Sequence, residues 1–164
     1  MIARMLSFVG LVAMFPSPAK SVCIYNGVDN AKTTIGQEFR DSRWVVRARV
    51  LSARDRWLNE GDSWTLYRLK VVHAFKGKLP RTFTFFTDRD SGGFYMDRPW
   101  VPLPKGHDVG GEYLLFLNPL PHHRGDPSAS HGATFVNYNC GQSRLWSKVD
   151  SSSRRSLNRL AQPH

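Results

Sequence analysis

Four basic side chains in the first half of the chain could bind an anionic ligand. Arg47 and Arg49 alternate with apolar residues, and Arg68 and Lys70 do the same further along the chain. Because alternate residues of a strand lie on one face, antiparallel pairing of the two segments would place all four cations on one outer sheet face. Guanidinium and ammonium groups there could bind phosphate, sulfate or carboxylate groups.

The distribution of charge supports the same interpretation. The 164-residue chain carries 23 basic and 13 acidic residues, a net charge of +10. Residues 40–81 hold 11 of the basic and four of the acidic residues, a net charge of +7. An anionic polymer, either a glycan or a nucleic acid, is therefore one candidate ligand. The alternative is a solvated face on which the charges discourage edge-to-edge pairing.

Residues that could support catalysis or bind a metal do not form a recognisable motif. The six histidines include the neighbours His122 and His123, and adjacent positions rarely direct their side chains at one metal. The sequence has no zinc-protease, serine-hydrolase, P-loop or dinucleotide-binding motif. Asp88, Asp90 and Asp97 lack calcium-loop spacing. We expect a non-enzymatic protein that holds neither a metal nor another cofactor.

Aromatic residues in a long irregular segment could instead bind a partner protein. Residues 88–111 contain several glycines and prolines without a hydrophobic period, together with Phe94, Tyr95, Met96 and Trp100. A loop of this length in a compact domain is commonly functional, and exposed aromatic side chains are frequent anchors in interfaces. The alternative is that these side chains fold back over the mouth of a barrel.

The beginning of the chain predicts export. Arg4 precedes an apolar run of about ten residues and then a stretch rich in proline and small residues, which is typical of a signal peptide. We expect residues 1–21 to be removed, with cleavage before Lys20 as an alternative, and the mature protein to be secreted or periplasmic. No other apolar stretch approaches the length of a membrane span. In an oxidising compartment Cys23 and Cys140 could pair, or both could remain free thiols.

The elements that must position these residues are mostly strands. Helices are predicted at 33–42 and 151–161, and strands at 44–51, 64–75, 82–87, 113–117 and 135–140, with a bulge near 72–74. Five strands with one helix before the first and one after the last predict an all-β, five-stranded, OB-like Greek-key barrel with a short helix before strand one and a C-terminal helix.

Several segments together resemble a known superfamily. They are Glu38-Phe-Arg-Asp-Ser-Arg-Trp-Val-Val-Arg-Ala-Arg-Val, Tyr67-Arg-Leu-Lys-Val-Val-His-Ala-Phe-Lys-Gly, Gly110-Gly-Glu-Tyr-Leu-Leu-Phe and Asn139-Cys-Gly-Gln-Ser-Arg-Leu-Trp. Their order, after a cysteine that follows the signal peptide, resembles the bacterial branch of the netrin-module superfamily, which includes the tissue inhibitors of metalloproteinases. The resemblance covers residues 23–148, and it implies an OB-like domain over residues 22–164, a disulfide between Cys23 and Cys140, and a protein partner, with a protease as one candidate.

Two features depart from the best-known members. Relatives commonly carry a further Cys-Gly pair between strands three and four, where this sequence has Ser91-Gly-Gly-Phe, so one bridge is missing. In the vertebrate inhibitors the first cysteine binds the protease zinc through its free α-amine. Here that route would require cleavage directly before Cys23, after Val22, which signal peptidase disfavours. We therefore do not expect inhibition of a metalloprotease by that route.

Overall fold

The computed structural model describes residues 23–57, 63–89, 92–122, 124 and 126–162. The strands are β1 (Ile24–Tyr25), β2 (Val28–Asp29), β3 (Trp44–Arg56), β4 (Trp64–Lys76), β5 (Thr82–Asp88), β6 (Glu112–Pro119), β7 (Thr134–Val136) and β8 (Arg144–Leu145). The helices are α1 (Ile35–Asp41) and α2 (Ser151–Leu160), and single 3-10 turns lie at Ser128–Ser130 and Trp146–Lys148. The expected signal peptide, residues 1–21, lies outside the described residues.

Five strands close into a mixed barrel. Around the barrel the order is β3, β4, β5, β7 and β6, and β6 pairs with β3 to complete the ring. The β5–β7 pair is parallel and the other four pairs are antiparallel. The predicted all-β, OB-like barrel with two flanking helices is confirmed.

Capping residues set where both helices begin. The Thr34 hydroxyl accepts a hydrogen bond from the Gln37 backbone N–H (3.2 Å), and the Gln37 side chain accepts one from Thr34 N–H (2.8 Å). This capping box satisfies backbone donors that the first turn of α1 leaves unpaired. Asp150 caps α2 by accepting from Ser153 N–H (2.8 Å). Within the described part of the chain, neither helix has the length and apolar character needed to cross a membrane.

Strands β3 and β6 separate two hydrophobic clusters. On one side, Val46 belongs to the barrel interior, which is also lined by residues of β4, β5 and β7. On the other side, the adjacent Val45 packs with Phe39 of α1 and Leu157 of α2. All four of these residues are buried. Burial on both faces explains why residues 113–117 of β6 are apolar without alternation.

Strand β3 is longer than the sequence predicts. Residues 52–56, expected to begin a loop, pair with the first residues of β4. A bulge at Leu51 shifts the register between Val50 and Ser52, so Ala53 and Asp55 take the inward positions that Val50 holds before the bulge. The last barrel strand is shorter than expected and ends at Val136, because the chain then turns towards the disulfide at Cys140.

Candidate functional site

The first half of the 92–111 segment closes one end of the barrel. Phe94 packs edge-on against Phe85 and Tyr113, with ring centroids 6.1 and 6.4 Å apart, and Met96 is fully buried. The Tyr95 ring lies 4.5 Å from the Arg89 guanidinium carbon. Of the aromatic residues predicted to bind a partner, Phe94 and Tyr95 therefore contact the protein itself.

Trp100 points in the opposite direction, into solvent. Its side chain is 98% exposed, and it lies in a four-residue turn closed by a hydrogen bond from Val101 N–H to the Arg98 carbonyl (3.5 Å). Pro99 suits the second position of such a turn, and the third, with φ = +67°, is the left-handed position that normally favours glycine. A bulky residue in this conformation is strained, and strain of this kind concentrates at functional sites.

The base of this turn is tightly held. Arg98 N–H donates to the Gly106 carbonyl (2.7 Å) and Asp108 N–H to the Met96 carbonyl (2.9 Å), flanking a β-bridge between Asp97 and His107. A side chain at Gly106 would overlap the Val101 carbonyl, so only glycine allows the two sides of the loop to approach this closely. We call residues 98–106 the Trp100 turn.

A buried network of charged groups holds the Trp100 turn on the barrel. His107 is 5% exposed, and its two ring nitrogens lie 2.9 Å from an Asp97 oxygen and 2.8 Å from an Asp55 oxygen. The Arg89 side chain, 7% exposed, donates to the second Asp97 oxygen (2.5 Å), and the Tyr67 hydroxyl donates to the first (2.8 Å).

These contacts decide the ionisation of Asp97. Burial opposes its charge, but hydrogen bonds from Arg89, His107 and Tyr67 outweigh burial and hold the pKa of Asp97 below its usual range. The sequence suggests Asp97 only as a calcium ligand with unsuitable spacing, and it predicts no role for His107. Because the partners come from β3, β4, the end of β5 and the loop, no short motif indicated the network.

The pairing of β3 with β4 brings the four predicted cations onto neighbouring strands, but a carboxylate neutralises part of their charge. Arg49 lies directly opposite Lys70, and Arg68 lies opposite Ser52, two inter-strand pairs further along the sheet. Arg47 and Arg49 both donate to Glu112 of β6, through Nε at 2.5 and 3.0 Å.

Those hydrogen bonds, the one from Arg49 above all, lower the pKa of Glu112. Arg47 also stacks on the Trp146 ring, with its guanidinium carbon 4.7 Å from the ring centroid. In the part of the chain that the structure describes, Arg68 and Lys70 have no carboxylate within 4.0 Å. The unpaired positive charge of this face therefore lies on β4.

A second buried polar contact joins the two cysteine-bearing ends of the domain. Cys23 and Cys140 lie at disulfide distance with Cα atoms 6.0 Å apart, as the resemblance implied. Nearby, the fully buried Glu38 of α1 accepts from Thr33 and from Gln142 N–H (2.7 Å). Burial raises the pKa of Glu38, and among the described residues its second carboxylate oxygen has no hydrogen-bond partner.

The remaining histidines do not assemble a metal centre in the described ranges. His122 and His131 touch, with ring centroids 4.1 Å apart, and His123 lies outside the described residues. No group of three or more histidine, cysteine, aspartate or glutamate side chains among the described residues is arranged to hold a metal ion.

Comparisons with known proteins leave the family open. The sequence matches no family model, and no curated protein matches it significantly. The resemblance to netrin modules therefore stays a prediction based on the segments quoted above.

Proposed function

We propose that this chain is an exported, non-enzymatic binding module of netrin-like type that recognises a partner protein through the Trp100 turn. The observation that carries the proposal is the combination at Trp100 of 98% exposure, φ = +67° and a firmly held base. An indole held in solvent by a strained backbone does not stabilise the unbound protein, whereas a partner protein could bury it in an interface.

The energy available from such an anchor is large. An aromatic side chain of this size buries roughly 150–250 Å², which at ~25 cal/mol per Å² corresponds to about 4–6 kcal/mol before the costs of association. The buried bridge between Asp97 and His107 fixes the loop in advance. Less conformational entropy is therefore lost when the partner binds.

The charge around Trp100 indicates the chemistry of the partner surface. Arg98 and Lys105 are both exposed, and residues 98–106 contain no acidic residue. A hydrophobic pocket with acidic residues at its rim would complement this turn. A protease is one partner class that the resemblance suggests, but the proposal does not use zinc coordination by Cys23. N-terminal sequencing of the exported protein tests that route, and a mature chain that starts at Lys20 or Val22 excludes it.

Site-specific photo-crosslinking tests the proposal. A photoreactive phenylalanine analogue replaces Trp100 in the exported full chain, and the same analogue at the exposed position Val72 serves as the matched control. We expect a discrete crosslinked partner from position 100 alone, competed by unlabelled wild-type protein but not by the Trp100→Ala variant. Competition by Trp100→Ala equal to that by wild type would refute a role for the Trp100 turn.

A second candidate function, binding of an anionic polymer, is favoured by the unpaired charge on β4. Arg68 and Lys70 lie on the same strand two residues apart and, among the described residues, have no carboxylate within 4.0 Å. We expect Arg68→Glu/Lys70→Glu to elute from heparin at lower salt than Lys148→Glu/Arg155→Glu, which changes the same charge at exposed positions near and on α2. Equal elution of the two variants would leave net charge as the sole cause of retention.

A further inference from the structure

The barrel is held together least well between β5 and β7. These strands pair at a single register position, Phe85 with Thr134. Residues 82–84 of β5 pair with β4 on one side, but within the described ranges no strand lies on their other side. The first part of β5 is therefore an open edge in an otherwise closed barrel.

The backbone polar groups of this edge point outward. The Thr134 hydroxyl donates to the Thr84 carbonyl (2.9 Å), which shows that Thr84 directs its backbone groups away from β4. Because backbone directions in a strand alternate with a period of two, the N–H and carbonyl of Thr82 face the same way. Phe83, between them, directs its backbone towards β4. The edge thus offers the donor and acceptor of Thr82 and the donor of Thr84 to an added strand.

A groove of about 490 Å³ runs beside this edge, within the range of roughly 300–1,000 Å³ typical of ligand sites. Its walls are mainly apolar and come from strands β3 and β5 and from the connections that precede β5, follow β6 and precede β7. They include Trp44, Leu79, Phe83, Leu120 and Ala133. Arg68, which lies opposite Thr84 on β4, also lines the groove and, in the described part of the chain, has no carboxylate within 4.0 Å.

We propose that the open edge of β5 binds an extended, acidic peptide segment of another protein as an additional strand. Main-chain hydrogen bonds to Thr82 and Thr84 would supply affinity, as in other cases of strand addition. The apolar walls would take alternate side chains of the peptide, and Arg68 would pair with an acidic side chain on the outer face. This site is separate from the Trp100 turn and does not depend on its function.

A defined probe tests the proposal directly. The probe is a fluorescein-labelled eight-residue peptide of alternating glutamate and valine, and its binding to the oxidised full-length mature protein is followed by fluorescence anisotropy. Two matched probes carry lysine in place of glutamate, or N-methyl groups on alternate amides, which removes donors from one edge of the peptide. We expect the first probe to bind, the lysine probe to bind at least about tenfold more weakly, and the N-methylated probe not to bind measurably.

Two variants locate the binding site. Thr82→Pro removes the outward-facing N–H together with the Thr82 hydroxyl, and it takes no donor from the β4 ladder, because proline is tolerated at a strand edge. It should weaken the first probe about fivefold, as expected for one lost hydrogen bond. Arg68→Glu should weaken it about tenfold. Hydrogen exchange at the Thr82 amide of the wild-type protein should slow when the peptide binds, and this measurement does not depend on either variant folding.

Several results would overturn strand addition. They are the absence of binding at millimolar peptide, equal binding of the N-methylated probe, and unchanged exchange at Thr82 in the presence of bound peptide. If a heparin oligosaccharide displaced the first probe and Thr82→Pro bound that probe as tightly as wild type, the ligand would be a polyanion on the sheet surface rather than an added strand. Trp100→Ala should leave the affinity for the peptide unchanged, so failure of this site and failure of the Trp100 turn are distinguishable.

Discussion

Replacing Asp97 by asparagine should loosen the Trp100 turn while keeping its shape. The Asp97 carboxylate is the acceptor shared by Arg89 and His107, and both of those side chains are almost completely buried. Removing one member of a buried ion pair typically costs 3–5 kcal/mol. Because the variant keeps one amide oxygen as an acceptor and Asp55 still faces His107, we expect about 3 kcal/mol for Asp97→Asn.

Urea denaturation of the oxidised protein measures this cost, and thermal unfolding should show a midpoint about 6–12 °C lower. Asp29→Asn, on an exposed hairpin strand, is the matched control. Limited trypsin digestion gives a second, local measurement. Cleavage after Lys105 should become faster in Asp97→Asn, whereas the Arg98–Pro99 bond resists trypsin in every variant.

The contribution of Asp97 to the free energy of unfolding should decrease at low pH. Because the pKa of Asp97 in the folded protein lies below its ordinary value of 3.8, its stabilisation is complete above that value and is lost as the pH falls through the lower folded pKa. The difference in stability between wild type and Asp97→Asn should therefore shrink below about pH 4. A difference under about 0.5 kcal/mol at pH 7, within the usual range for surface substitutions, would refute a role for this ion network in holding the turn.

Three further predictions concern other parts of the molecule. Since burial raises the pKa of Glu38 above 4.5, its charge costs stability at neutral pH, and urea denaturation should show wild type gaining stability relative to Glu38→Gln as the pH falls from 7 to 4; a constant difference would contradict this. Serine at both Cys23 and Cys140 removes a link that spans 117 residues and should lower the free energy of unfolding by about 4–5 kcal/mol; a loss below about 1 kcal/mol in urea would be inconsistent with the loop-entropy estimate. Trp100→Gly should relieve backbone strain of about 1 kcal/mol and raise the thermal midpoint, and as an unlabelled competitor it should fail to prevent crosslinking at position 100. A lower midpoint would show that the turn is not strained.

The fold could be predicted from the sequence because hydrophobic patterns follow the barrel. Alternation in Trp44–Leu51 and Trp64–Phe75, together with the continuous apolar run in β6, placed three of the barrel strands close to their observed positions. The prediction ended β3 too early because hydrophobic alternation stops at the bulge, although the strand continues. After Leu51 the inward positions are taken by Ala53 and Asp55, and the Asp55 carboxylate contacts the His107 ring and the Arg89 guanidinium rather than a hydrophobic side chain.

The candidate site was only partly accessible from sequence. Composition singled out the 88–111 loop, but it did not separate Phe94, which packs on the core, from Trp100, which faces solvent. Burial depends on how the loop is anchored, and the anchor joins Asp55 to His107 across 52 positions. The β1–β2 hairpin, by contrast, did have a local signal. Asn26-Gly27 adopts positive φ angles of 50° and 79°, as the favoured two-residue hairpin turn requires.

Strands β3 and β6 carry hydrophobic side chains on both faces, one towards the barrel interior and one towards the helices. This arrangement has a practical consequence for work on this protein. Helix α2, which is ten residues long, covers the face of these two strands that points away from the barrel interior. There it packs with Val45, Leu114 and Phe116. A shortened protein that ends before Ser151 would uncover a continuous patch of large aliphatic and aromatic side chains. Such patches promote aggregation. The C-terminal segment is therefore an integral part of the domain, and affinity tags should follow it rather than replace it.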